Sequence, residues 1–122
     1  MDSTGTILHL TNITTMKKKL SHIDRVVIPE ILPREGNILT MQVVKGILGK
    51  IQIQPSQFKD LKIQRQGDRI TWSDPSIMQQ EDEYDLADAE VTMIKKAVQD
   101  YSAAEKISLQ MLDTCARIQG WE

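Results

Sequence analysis

Apolar residues recur at intervals of three and four positions over much of the chain, a spacing typical of amphipathic helices. The first such segment follows Ser21, and the order Ser-His-Ile-Asp from Ser21 to Asp24 matches a capping box, with Asp24 in the place usual for Glu or Gln. Pro29 leaves two outcomes open, because an interior proline disrupts a helix. The first helix either ends near Ile28 or is kinked and continues to Leu32.

Two further helices are predicted before residue 63. A turn at residues 33–37 precedes the second helix, for which Asn37 and Thr40 are both acceptable N-caps. A short third helix begins near Pro55, a residue suited to the first helical position. The second helix has one apolar side, formed by Val43, Val44, Ile47, Leu48 and Ile51.

The period of the pattern changes to two at residues 63–66 and 69–72, which flank the two-residue turn Gly67-Asp68. This arrangement predicts a β-hairpin, since Gly67 can adopt the positive φ that such turns require. Residues 6–10 predict an opening strand. Because an isolated hairpin is only marginally stable, we expect the opening strand to be its third partner.

The second half of the chain begins with residues 73–85, a polar and acidic stretch that predicts an exposed linker. Residues 86–119 predict C-terminal helices: a long one from Leu86, and a last one that starts at Ser102 or Ser108 and stops at Gly120. The apolar side of the last helix is expected to contain Leu109, Met111, Leu112, Cys115, Ala116 and Ile118.

Together these elements predict a single α+β domain over residues 1–122. It combines a small helical body, an antiparallel β-hairpin and a C-terminal helical pair. With the opening strand the hairpin would become a three-stranded sheet. Three helices followed by a hairpin would also make the first part of the chain winged-helix-like.

The net charge of −2 conceals opposite charges in the two parts of the chain. Residues 1–72 carry 11 Lys and Arg against 6 Asp and Glu, whereas residues 73–122 carry 4 against 11. Two interpretations stay open: the parts pack together with complementary fields, or they face different partners. Each part supplies a candidate binding site.

The leading hypothesis is a non-enzymatic protein that binds another protein through charge and shape complementarity. The candidate residues for this interaction are Glu81, Asp82, Glu83 and Asp85. The alternative is a winged-helix-like DNA-binding transcriptional regulator, with basic residues contacting nucleic acid. Those candidates are Lys17, Lys18, Lys19, Lys59, Lys62, Arg65 and Arg69.

Residues that catalysis or metal binding would need are few. The chain has one cysteine and two histidines, too few for a zinc site, and no glycine-rich phosphate-binding motif. We therefore expect no enzyme activity, no metal and no cofactor. Cys115 is predicted to be a buried thiol, His9 a strand residue and His22 a surface residue. No apolar run reaches the length of a membrane span, so no membrane contact is expected.

Two segments resemble small uncharacterised proteins of tailed bacteriophages and prophages. They are residues 32–37 (Leu-Pro-Arg-Glu-Gly-Asn), with Thr40 and the apolar helix after it, and residues 67–72 (Gly-Asp-Arg-Ile-Thr-Trp). The order of elements is similar as well, although Pro29 and the glycine pair at 46 and 49 depart from the pattern. The resemblance implies a phage or prophage origin and action in the cytoplasm of the bacterial host cell. Under the leading hypothesis the partner is then a host or phage protein. It implies no activity. If the C-terminal helices pack across a twofold axis, the protein is a homodimer.

Overall fold

The computed structural model describes residues 15–67 and 69–121, so the predicted opening strand at residues 6–10 and His9 lie outside the described residues. The α+β class is confirmed: the described residues form five α-helices and two separate two-stranded antiparallel sheets. In these ranges no helix is long and apolar enough to cross a membrane. The elements are β1 (Thr15–Ser21), α1 (His22–Ile31), α2 (Ile38–Ile51), β2 (Ile63–Gln66), β3 (Arg69–Trp72), α3 (Pro75–Met78), β4 (Glu81–Ala87), α4 (Asp88–Ala103) and α5 (Leu109–Gln119).

The capping box predicted at the start of α1 is confirmed. Ser21 Oγ accepts a hydrogen bond from the backbone N–H of Asp24, and Asp24 Oδ2 accepts one from the N–H of Ser21. Of the two predicted lengths, the longer is observed, because α1 continues past Pro29 to Ile31. Ile31 and Leu32, which follow Pro29, are buried. Full burial of an aliphatic side chain contributes about 1.5–3 kcal/mol. Two such residues therefore offset the cost of an interior proline, roughly 3 kcal/mol.

Asn37, one of the two predicted N-caps, begins α2. Its Oδ1 accepts a hydrogen bond from the backbone N–H of Thr40 at 2.8 Å. The helix then continues through Gly46 and Gly49 to Ile51. The predicted apolar side is largely confirmed, since three of its five members are buried and two are half-buried. They are Val44, Ile47 and Ile51, and Val43 and Leu48, respectively.

Residues 81–87 form strand β4, so the prediction of a linker at residues 73–85 is wrong, although most of these residues are exposed as predicted. The same stretch also contains the single helical turn α3. β4 pairs antiparallel with β1, which places Lys17 opposite Asp85 and Lys19 opposite Glu83. Opposite charges in facing positions stabilise a strand pair. The apolar side of this pair is short, with Met16 and Leu20 on β1 and Tyr84 and Leu86 on β4. Charged residues lie between these positions, so neither strand shows a clear apolar alternation in the sequence.

The predicted hairpin is confirmed with its predicted bounds, and β2 pairs with β3 so that Ile63 lies opposite Trp72. Gly67 in the turn has a φ of +62°, the left-handed conformation that favours glycine. Within the described residues the hairpin has two strands. The short third helix is a single 3₁₀ turn at Pro55–Gln57, with Pro55 at its first position as predicted.

The core consists of two aliphatic clusters. The smaller one lies beneath the hairpin and contains Ile53, Leu61, Ile63 and Met78. The main cluster joins residues from both oppositely charged parts of the chain, so one interior holds them together. Its buried members are Leu20, Val27, Ile28, Ile31, Leu32, Val44, Ile47, Ile51, Leu86, Val91, Ile94, Ala97, Val98, Cys115 and Ile118.

The helix predicted from Leu86 begins two residues later, because Leu86 belongs to β4. Of the two predicted starts for the last helix, Ser108 is observed. Ser102 instead belongs to the end of α4, where Glu105 has a φ of +59° and the N–H of Lys106 donates to the Tyr101 carbonyl. This is a Schellman end, in which the left-handed position is usually glycine.

The buried side of α5 differs from the predicted apolar side. Leu109 is 91% exposed and Leu112 is 49% exposed, whereas Thr114 is buried. Thr114 faces the interior because it and Arg117 both donate hydrogen bonds to the buried carboxylate of Asp24 in α1. These bonds set the rotation of α5 about its axis. Cys115, on the same side, is buried as predicted.

Candidate functional site

The four acidic candidates all lie on β4, and two of them, Glu83 and Asp85, face basic side chains of β1. Lys17 Nζ is 3.6 Å from Asp85 Oδ1, and both side chains are more than 60% exposed. Glu83 lies opposite Lys19, and Glu81 lies opposite the uncharged Ser21. The fourth, Asp82, is also exposed. The exposed side of this sheet is therefore a surface of mixed charge and not a negative patch.

The seven basic candidates are divided between two parts of the fold. Lys17, Lys18 and Lys19 lie on β1, and Lys18 Nζ lies 5.1 Å from the ring centroid of Trp121. The other four lie on the hairpin or just before it: Lys59, Lys62, Arg65 and Arg69. In a winged helix the third helix enters the DNA groove. Here the predicted third helix is a single 3₁₀ turn, which is much shorter than a recognition helix.

His22 is buried, so the prediction that it lies on the surface is wrong. Arg25 donates to His22 Nδ1, to the carbonyl of Ile51 and to Gln57 Oε1 at 2.7–3.1 Å. Burial and the positive charge of Arg25 lower the pKa of His22, so the neutral ring can accept this hydrogen bond. The cluster joins the start of α1 to the end of α2. His22 and Arg25 are therefore explained by their structural role in joining these two helices.

Cys115 lacks the environment of a nucleophile. It is 2% exposed, and burial raises the pKa of its thiol, whereas an activated cysteine has a lowered pKa. In the parts of the chain that the structure describes, no three His, Cys, Asp or Glu residues are grouped as a metal site requires.

The connection between α1 and α2 forms the wall of a groove. Leu32 is buried and ends α1, and Pro33 has no N–H with which to continue the helix. The chain therefore leaves the core, and Arg34 is exposed. Gly36 packs closely against the start of α2, since a Cβ at this position would lie 3.1 Å from Thr40 Cγ2.

This connection and α4 enclose a groove with a volume of about 610 Å³, which we call the first groove. Volumes of about 300–1,000 Å³ are typical of ligand-binding sites. The floor is apolar and includes the buried residues Ile31, Leu32 and Ala97 and the half-buried Met93. The rim is charged and consists of Glu30, Arg34, Lys96, Asp100 and Lys106.

Tyr101 fixes the two walls of the first groove relative to each other. Its hydroxyl donates a hydrogen bond to the backbone carbonyl of Glu30 at 2.9 Å. The Schellman end of α4 then places Lys106 over the aromatic ring, with Nζ 6.0 Å from its centroid. The groove is thus bounded by packed elements and needs no rearrangement to form.

A second groove, of about 370 Å³, lies on the other side of the Pro33–Arg34 turn. Both grooves share Glu30, Leu32, Pro33 and Arg34, and the Pro33–Arg34 turn forms a ridge between them. The second groove is completed by residues of α2 and of the hairpin, namely Met41, Val44, Leu48 and Arg65 among others.

Two large apolar side chains project into solvent beside this ridge. Ile38 is 79% exposed and Leu39 is 72% exposed, in the first turn of α2. They immediately precede Thr40 and Met41, which line the first and second grooves. Exposed apolar side chains with a polar rim are typical of interaction surfaces. We call Ile38, Leu39 and the residues that line the two grooves the ridge surface.

The electrostatics of the ridge surface are positive. Lys96 Nζ and Asp100 Oδ2 are 2.9 Å apart, so this pair is neutral as a unit. The remaining charged side chains that line the two grooves are Arg34, Arg65 and Lys106 against the single Glu30. A ligand with negative charge at its edges would complement this rim.

Sequence reasoning predicted the turn at residues 33–37 but not the site beside it. The available signal was the pair Ile38-Leu39, two large apolar residues that fall outside the apolar side of α2. Lys106 and Tyr101 gave no such signal, because they reach the site only through the packing of α4 against α1.

Comparison of the chain with protein-family models, with curated proteins and with solved structures finds no match.

Proposed function

We propose that this chain is a non-enzymatic phage or prophage accessory protein that binds a host or phage protein through the ridge surface. The observation that supports this most is the exposure of Ile38 and Leu39 beside two adjoining grooves, the first of which has an apolar floor. Apolar surface of this kind gains free energy when a partner removes it from water. The phage or prophage origin rests on the resemblance of residues 32–37 and 67–72, of which the first segment forms the ridge.

Affinity capture with a matched pair of variants tests this proposal. Tagged full-length chain is incubated with bacterial lysate prepared with and without phage infection. Leu39→Glu introduces a charge on the ridge surface, and Leu109→Glu introduces the same charge at another exposed leucine, on α5. We expect the wild type and Leu109→Glu to retain a stoichiometric protein and Leu39→Glu to lose it. Retention by Leu39→Glu, or no retained protein at all, contradicts the proposal.

The acidic residues of β4 are tested with Glu81→Lys. Glu81 lies opposite Ser21, so this reversal leaves the Lys17–Asp85 and Lys19–Glu83 positions unchanged. Reversal of Glu83 or Asp85 would instead place like charges opposite each other and disturb the fold. If the ridge surface is the site, Glu81→Lys retains the partner. Loss of the partner with folding intact would assign the interaction to β4.

The DNA-binding alternative stays a prediction with its own test. A DNA-binding protein releases counterions when it binds nucleic acid, so its affinity falls steeply with salt. The alternative therefore requires retention on heparin, a polyanion, that falls steeply with salt. The mixed charge of the β1–β4 sheet and the single 3₁₀ turn before the hairpin favour a protein partner. We therefore expect weak retention that Arg65→Glu leaves unchanged.

A further inference from the structure

The walls of the first groove determine which kind of peptide it accepts. Its lining comes from the end of α1, from the connection after it, and from α4 and the residues that follow. Within the described residues no strand borders this groove, so it offers no open sheet edge to an extended peptide. Of the common modes of peptide recognition, a helix that places its apolar side into a groove fits these walls.

The apolar surface extends beyond the first groove. Ile38 and Leu39 lie outside it, and the second groove continues on the far side of the ridge. A small molecule that filled one groove would leave both side chains in water. A helix with apolar residues at positions i, i+3, i+4 and i+7 presents them over roughly 10 Å. Thr40 lines the first groove and directly follows Ile38 and Leu39, so one such helix can contact the groove and the exposed pair.

The positive side chains at the rims of the grooves indicate the charge of the partner. Arg34 on the connection and Lys106 beyond α4 stand on the two walls of the first groove. Arg65 adds a third positive charge at the second groove. We infer that the partner contributes an amphipathic helix whose apolar side enters the ridge surface and whose flanks carry Asp or Glu toward Arg34 and Lys106. The inference rests on the proposed function and names the class of partner.

An unbiased peptide selection tests the inference. A display library of random peptides, long enough for about four helical turns, is selected on the full-length chain. Enriched sequences should carry Leu, Ile, Phe or Met at helical spacing, with an excess of Asp and Glu beside them. Synthetic copies should gain helical circular dichroism on binding. Their addition should shift the backbone amide signals of residues in the ridge surface.

Charge reversal at the rim supplies the control. Arg34→Glu with Lys106→Glu changes two exposed side chains of the ridge surface, and Lys59→Glu with Lys62→Glu makes the same change in net charge elsewhere. The first pair should weaken the selected peptides about tenfold or more, since like charges then meet across the interface. Peptides with Lys in place of Glu should regain affinity for the variant that carries Arg34→Glu and Lys106→Glu. The second pair should leave the affinity unchanged.

Several outcomes overturn the inference. These are enriched peptides that are basic or bind in extended form, equal weakening by both variant pairs, and no enrichment at all. A wild-type dimer that Leu39→Glu converts to a monomer in sedimentation would assign the surface to a second copy. If the chain selects no peptide but binds dodecanoate in calorimetry, the ridge surface would be assigned to an anionic amphiphile. A partner captured in a Leu39-dependent way through a non-helical segment leaves the proposed function intact while the inference fails.

Discussion

Asp24 connects the first helix to the last through its buried carboxylate. The carboxylate accepts hydrogen bonds from the N–H of Ser21, from Thr114 Oγ1 at 2.6 Å and from both terminal nitrogens of Arg117 at 2.7 and 2.8 Å. Burial would raise the pKa of Asp24, but the hydrogen bonds from Arg117, Thr114 and Ser21 outweigh it and hold the pKa below its ordinary value. A buried charge is tolerated here because every partner is in place.

Removal of Arg117 should therefore destabilise the protein more than removal of an exposed partner. Arg117→Met leaves the Asp24 carboxylate buried without its cation, and we expect the free energy of unfolding to fall by about 2–3 kcal/mol. Lys96→Met is the matched control, since it breaks an exposed pair worth less than about 1 kcal/mol. Urea denaturation measures both. Equal losses in the two variants would contradict this account of Asp24.

His22 should make stability depend on pH. Because its folded pKa is lowered, the unfolded chain binds a proton at higher pH than the folded chain does. The contribution of His22 is therefore complete above its ordinary pKa of 6.5 and is lost as pH falls from 6.5 toward the folded pKa. Asp24 also has a lowered pKa, but its contribution is lost only below 3.8.

We expect the wild type to lose stability between about pH 7 and about pH 5 and His22→Gln to lose less over the same interval. Urea denaturation at both pH values gives the two differences. A steeper decline in His22→Gln than in the wild type would show that the histidine is not held neutral by the fold.

At the scale of elements, α2 and α4 are in close contact where Gly46 faces Glu90. A Cβ at Gly46 would lie 2.8 Å from Glu90 Oε2. Glu90 Oε1 accepts hydrogen bonds from the N–H of Ala87 at 2.8 Å and from Lys50 Nζ at 2.6 Å, so this side chain is not free to move away. The glycine that weakens α2 by its propensity is required by this contact.

Gly49 provides a matched comparison in the same helix, because no atom of the described residues, apart from its chain neighbours and the adjacent helix backbone, lies within 4 Å of the place a Cβ would take. We expect Gly49→Ala to raise the free energy of unfolding by about 0.5–1 kcal/mol, the helix propensity difference. Gly46→Ala should gain nothing or lose stability, since the contact with Glu90 cancels that gain. Urea denaturation compares the two, and equal stabilisation by both substitutions would refute the close contact.

The β1–β4 pair depends on charge order as well as on its buried residues Leu20 and Leu86. Lys19→Glu places a second carboxylate opposite Glu83, and we expect the free energy of unfolding to fall by about 0.5–1 kcal/mol. Adding Glu83→Lys restores opposite charges and should recover most of it. Thermal unfolding at low and high salt measures the effect, which salt should reduce. A double variant no more stable than Lys19→Glu would show that the facing charges do not matter.

For the whole molecule, the first groove exists because α1 and α4 are fixed relative to each other. Tyr101→Phe removes the hydrogen bond to the Glu30 carbonyl and should cost about 0.5–1.5 kcal/mol. It should also speed hydrogen exchange at the end of α1. Tyr84→Phe is the control, because no hydrogen bond from the Tyr84 hydroxyl is found within residues 15–67 and 69–121. A larger loss in Tyr84→Phe would contradict the role given to Tyr101.

The opposite charges of the two parts of the chain also have a consequence for the whole molecule. Their most concentrated segments, residues 17–19 and 81–85, lie side by side in the β1–β4 sheet and reduce each other's field. Protein surface charge is therefore distributed differently from what the linear sequence suggests. The net positive rim at the ridge surface comes instead from residues distant in sequence, such as Arg34 and Lys106.

Local signals in the sequence determined the caps of α1 and α2, the apolar side of α2 and the hairpin with its turn at Gly67. Each depends on residues within a few positions of each other, so the physics that specifies them can be read from the sequence. The tertiary structure alone decided the strand at residues 81–87, the rotation of α5 and the ridge surface. These depend on partners far along the chain: β1 for β4, Asp24 for Thr114 and Arg117, and the packing of α4 against α1 for Tyr101.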